Sequence, residues 1–165
     1  MIKKTCNNIL LSLYLGKRCK INNNPDSFID METTLEKIQF RLEQSKEKLL
    51  LASIFLEKKK YCDSILSSYR AIFYAIRVLL VGNDIDSDDP DTIIEIFEKY
   101  LDTTVFRNAE IIEIAKRSKE IKDYVANSNN QITYDNAKTM LNNASTILHE
   151  VENYYNHYNL TATNG

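Results

Sequence analysis

From about residue 33 onward, apolar side chains recur at alternating three- and four-residue steps, the period of helices that bury one face. Leu35, Ile38, Leu42, Leu49, Ala52 and Leu56 form the first such stripe. It predicts a helix over about 33–59, opened by Thr33 with Glu36 as a capping box and closed by Lys58, Lys59 and Lys60 at the negative end of the helix dipole. A second helix is predicted over about 62–81, with Ile65, Leu66, Tyr69, Ile72, Phe73, Ile76, Leu79 and Leu80 inward and Gly82 as its stop. These two should pair as an antiparallel hairpin. Pro90 suits the first position of a short third helix ending near Leu101, with Ile93, Ile94 and Phe97 buried. A fourth, about 108–125, carries Ile111, Ile112, Ala115, Ile121 and Val125, and a polar turn over 127–131 follows it. Thr133 opens a fifth, whose stripe of Ala137, Met140, Leu141, Ala144, Ile147, Leu148, Val151, Tyr154 and Tyr158 runs almost to a frayed tail, 161–165.

Residues 1–30 lack a sustained stripe and end in an Asn-rich turn, so they read as an appendage to a single bundle over 31–160. Met31, just before the periodic part, is a candidate start. Only three Gly and two Pro occur in 165 residues, which excludes Gly-rich phosphate loops and turn-dense sandwiches or barrels. The expected fold is all-α, a four-to-five-helix up-and-down bundle.

The formal charge of −2 gives no global positive field, so any nucleic-acid contact must be local. Cys6, Cys19 and Cys62 are odd in number and lack metal-ligand spacing, which suits a reducing, cytoplasmic setting. The apolar run from Asn8 to Gly16 is too short to span a membrane and is followed by Lys17, Arg18 and Lys20. No membrane partner is expected.

Two constellations look like metal sites and fall short. Asp84, Asp86, Asp88 and Glu95 match the ligand spacing of an EF-hand, but Asp89 stands where glycine allows the sharp turn. The simpler reading is that Asp88, Asp89 and Asp91 cap the third helix and favour its positive end. His149 and His157 lie eight residues apart, and in His149-Glu-Val-Glu-Asn153 the asparagine cannot supply the second ligand of a zinc-protease motif. No metal or cofactor is expected. Tyr154, Tyr155 and Tyr158 suit a base-stacking surface or the end of a core stripe.

The fourth helix contains Arg117-Ser-Lys-Glu-Ile-Lys122-Asp123-Tyr124. With the stretches from Tyr69 to Leu80 and from Ile93 to Tyr100, it resembles the HEPN superfamily, above all its small prokaryotic members; the likeness runs from about Leu35 to Tyr158. The resemblance implies a helical bundle that pairs as a homodimer. In active relatives an R-x4-H-x-Y motif from each subunit meets at the dimer cleft and cleaves RNA without metal. Arg117 stands at the motif arginine and Tyr124 at its tyrosine, but Lys122 occupies the histidine position, and Tyr74 replaces the histidine of the second helix. Related proteins often act beside a small nucleotidyltransferase in toxin–antitoxin pairs, where the motif tyrosine, here Tyr124, can receive a nucleotide.

On a helix Arg117 and Lys122 lie about 140° apart, so they flank a cleft more readily than they share a face. With Lys119 they form a candidate phosphate-binding set of a planar guanidinium fork and two ammonium groups. Three readings follow. The first is a nucleotide- or RNA-binding protein of a toxin–antitoxin or defence type. The second is a metal-independent endoribonuclease in which Lys122, its pKa depressed by Arg117 and Lys119, takes the histidine's role beside Arg117 and Tyr124. The third is a catalytically inert helical protein-interaction module.

Overall fold

The computed structural model describes residues 26–81, 85, 87–101, 109–127 and 132–163, with side chains for all of these except 26–35, 100–101, 109 and 157–163. Among them are five helices: α1 (Asp26–Glu57), α2 (Tyr61–Leu80), α3 (Pro90–Leu101), α4 (Ala109–Asn127) and α5 (Tyr134–Thr163). The all-α bundle expected from the periodicity is the fold. Helix α1 already includes Asp26 to Met31, so the expected capping box at Thr33 lies inside the helix, while residues 1–25 of the expected appendage lie outside the described residues. Helix α5 includes Thr161 to Thr163.

Helices α1 and α2 form the predicted antiparallel hairpin, and small side chains explain how closely they approach. Ser45 Oγ donates to the Ala71 carbonyl at 2.8 Å, and Ser64 Oγ donates to the Ala52 carbonyl at 2.8 Å. Both serines are fully buried, as are Ala52, Ala71 and Ala75. Bonding to the opposite backbone satisfies hydroxyls that would otherwise be costly to bury. Further along, Arg41 Nη1 donates to the Arg77 carbonyl at 3.5 Å.

Helix α2 contacts every other helix. Ile65, Ile72 and Ile76 on it have no exposed surface and meet Ile93, Ile94 and Phe97 of α3, Ile111 and Ala115 of α4, and Met140, Ile147 and Val151 of α5 in one core. Truncating such an isoleucine to alanine costs about 2–5 kcal/mol. Helix α5 lies parallel to α2 and antiparallel to α1. Tyr61 meets Tyr134 near the start of α2 and α5, while further on the Tyr155 hydroxyl donates to the Val78 carbonyl at 3.0 Å. The Lys46–Glu152 ion pair at 2.6 Å joins α1 to the later part of α5. Thr133 opens α5 as expected: its Oγ1 accepts the Asn136 amide at 3.2 Å, and Asn136 Oδ1 accepts the Thr133 amide at 3.2 Å.

The α1–α2 turn is a Schellman motif. The Lys60 amide donates to the Phe55 carbonyl at 2.8 Å and the Lys59 amide to that of Leu56 at 3.0 Å. Lys59 has φ 59°, a left-handed position that favours glycine, so a lysine there carries a backbone cost.

Candidate functional site

The site is built where the start of α3 meets the middle of α2 and the second half of α4. Asp89 caps α3, its Oδ2 accepting the Thr92 amide at 2.9 Å, with Pro90 at the first helical position. This fixes the next residue, Asp91, between α2 and α4. The Tyr69 hydroxyl donates to Asp91 Oδ1 at 2.7 Å, and Lys122 Nζ donates to Asp91 Oδ1 and Oδ2 at 2.9 and 2.8 Å. Lys122 also pairs with Asp123 at 2.7 Å and lies 5.2 Å from the centre of the Tyr69 ring. One turn further along the antiparallel α3–α4 contact, Lys119 pairs with Glu95 at 2.8 Å.

These contacts set the protonation states. Burial works against the charge on Lys122, but hydrogen bonds to Asp123 and Asp91 outweigh it and hold the ammonium pKa above its ordinary value. The bond to Glu95 does the same for Lys119 against a smaller burial penalty. Burial also raises Asp91, yet the bonds from Lys122 and Tyr69 prevail and its carboxyl lies below the usual range. Burial first, then the bond to Asp91 and the surrounding carboxylates, push the Tyr69 phenol well above its ordinary value, so it remains a donor.

The structure separates the residues singled out in the sequence. Along α4, Glu110, Glu113, Arg117, Glu120 and Tyr124 form the exposed stripe, while Ile111, Ala115 and Ser118 face the core. Arg117 and Tyr124 thus share the outward face, with Tyr124 48% exposed. Lys119 and Lys122 turn toward α3. The expected depression of Lys122 by neighbouring cations is overturned: its nearest charged groups are the carboxylates of Asp91 and Asp123. Asp91 and Tyr69 are the site members that motif reading missed. The available signal was spacing, because Lys122 continues the inward stripe of Ile111, Ala115 and Ser118.

The described carboxylates of the acidic stretch have local partners. Asp88 pairs with Arg77 at 3.2 Å and Glu95 with Lys119, while Asp84 and Asp86 lie outside the described residues. Arg77 also lies over the Phe73 ring at 5.0 Å, and that ring packs against Tyr74. Among the described residues no group of His, Cys, Asp and Glu is arranged to hold a metal ion. His149 is exposed, and the side chains of His157 and Tyr158 lie outside the described ones. Tyr155, not the Tyr154 of the expected stripe, packs on the core and bonds to the Val78 carbonyl, and it meets Tyr154 edge-on. Among the described residues no helix is long and apolar enough to cross a membrane.

A family model described as the HEPN domain matches residues 38–154, a span that contains every member of this site. No curated protein matches the chain.

Proposed function

The chain belongs to the HEPN domain family, and from that premise we propose that it is a nucleotide- or RNA-binding protein of a toxin–antitoxin or defence system that binds without cleaving. The observation that carries this reading is the double ion pair of Lys122 with Asp91 and Asp123. A group that activates a 2′-hydroxyl must exchange protons near neutral pH, and an ammonium held charged by two carboxylates is a poor base. Arg117, exposed on the outward face of α4, is the phosphate contact, and Tyr124, two turns further along the same face, is a surface for a base or a target for nucleotide transfer. Lys119 adds charge, because its partner Glu95 is 55% exposed and such a pair yields readily to a phosphate. Lys122 holds the frame. A homodimer would present two copies of this set across one cleft, and a small nucleotidyltransferase is the partner consistent with a modified Tyr124.

The test is incubation of purified protein with a mixed RNA pool in excess chelator, with binding followed against salt. The expected result is intact RNA, affinity that falls with salt, and a slope reduced by about one in Arg117→Ala. Cleavage by the parent that is lost in both Arg117→Ala and Lys122→Ala, with the circular dichroism of each variant unchanged, would instead establish the endoribonuclease. Absence of binding would leave the interaction module.

A further inference from the structure

A trough between α1 and α5, on the side of α1 away from Arg41, carries apolar surface that neither the fold nor the proposed phosphate site uses. Two adjoining hollows share Ser53, Lys138 and Leu141 and make one groove from Lys46 to Lys59. The twelve residues of α1 from Lys46 to Glu57 give it a length of about 17 Å, about three helical turns. Its floor is aliphatic: Leu49 and Leu141 pack partly on the core, and Leu50, 63% exposed, stands up beside them. Tyr134, 49% exposed, closes one end. Lysines mark the rim, with Lys46, Lys59 and Lys138 lining it and Lys58 and Lys60 exposed next to Lys59. Lys46 is also paired with Glu152. Glu57 is the one carboxylate among these lining side chains.

We propose that this groove binds an acidic amphipathic helix of a partner protein, its apolar face on Leu49, Leu50 and Leu141 and its carboxylates against Lys59 and Lys138. Two antiparallel helices side by side form the channel that takes a third helix through anchors at i, i+3, i+4 and i+7. Net positive charge around an apolar floor selects acidic flanks on that helix. Serines at positions 53 and 145 keep the walls low enough for a backbone to approach. Nucleic acid fits less well, since the floor is leucine and not flat aromatic surface, and Tyr61 and Tyr134 meet edge-on at 6.1 Å and 78°. This inference is independent of the phosphate site on α4.

The experiment is selection of a display library of random peptides of about 16 residues on the intact protein, long enough for four helical turns. Enriched sequences are expected to carry apolar residues at helical spacing with Asp and Glu on the flanks. Synthetic versions should lose at least about tenfold in affinity to Leu50→Glu and to Lys138→Glu, both at exposed positions, with circular dichroism unchanged. Lys59→Gly, which removes the ammonium while easing the backbone, should also weaken binding. Enrichment of basic or non-helical peptides, or binding indifferent to these variants, would overturn the proposal. Displacement of the peptides by RNA would reassign the groove to nucleic acid, and loss of self-association in Leu50→Glu would reassign it to a second copy of the chain.

Discussion

Lys122 Nζ lies 2.9 and 2.8 Å from the two carboxylate oxygens of Asp91, so one cation on α4 closes a bidentate contact with one anion on α3. The pair is part-buried, with Lys122 17% and Asp91 39% exposed. Removing only that cation leaves Asp91 with the Tyr69 hydroxyl and the weaker influence of Lys119. Lys122→Met should therefore destabilise the protein by about 1–2 kcal/mol, with the exposure of Asp91 keeping the cost toward the lower figure. A urea double-mutant cycle with Asp91→Asn should recover part of that loss, and strict additivity would show the contact to be energetically idle.

Acid should weaken the same junction. Asp91 and Asp89 both have carboxyl pKa values below the ordinary one in the folded protein. A depressed carboxyl contributes stability that is complete above its unfolded pKa and lost as pH falls through the folded one. Stability should thus decline on acidification below about pH 4, and Asp91→Asn should flatten that limb. Lys119 and Lys122 are raised, so their contribution is intact below their unfolded value and is lost only in strong alkali. Denaturant midpoints measured from pH 7 to pH 2 for parent and variant test the acid side.

The cap on α3 also positions the site. Asp89→Ala removes the acceptor for the Thr92 amide and hydroxyl. The melting temperature should fall, and Asp89→Ser should restore most of it because serine caps as well. If Asp91 is aimed by this cap, Asp89→Ala should also lower the coupling between Lys122 and Asp91 in the double-mutant cycle.

Lys59→Gly should stabilise the chain. The left-handed backbone at φ 59° costs a side-chain-bearing residue more than glycine, offset in part by glycine's greater freedom in the unfolded chain. A gain of about 0.5–1 kcal/mol in urea unfolding is expected. A loss would mean that the lysine side chain makes compensating contacts at the turn.

The bundle was legible because glycine and proline are scarce and the stripes are regular; Ile65, Ile72 and Ile76 on α2 and Met140, Ala144, Ile147 and Val151 on α5 are all buried. The polar half of the α1–α2 interface was not. Arg41 and Ser45 are 8% and 0% exposed, and they hide in an apolar count because their burial depends on carbonyls 36 and 26 residues away. The site was half legible. Arg117 and Tyr124 are seven residues apart, so helical period alone places them on one face of α4. The partners of Lys122, Asp91 and Tyr69, lie on other helices and are brought to it only by the packing of α2, α3 and α4.

The two serine-to-carbonyl bonds of the α1–α2 hairpin span 26 and 12 residues, whereas the bond that fastens α5 to α2, from Tyr155 to Val78, spans 77. Closing a short loop costs less entropy than closing a long one, so the hairpin is the segment able to order itself first. During synthesis it can pair while α5 is still being made, leaving the α2 surface that Met140, Ile147 and Val151 will cover exposed until the last helix emerges. The most vulnerable moment for this chain is that interval, when its central helix still lacks α5, the helix that seals its core.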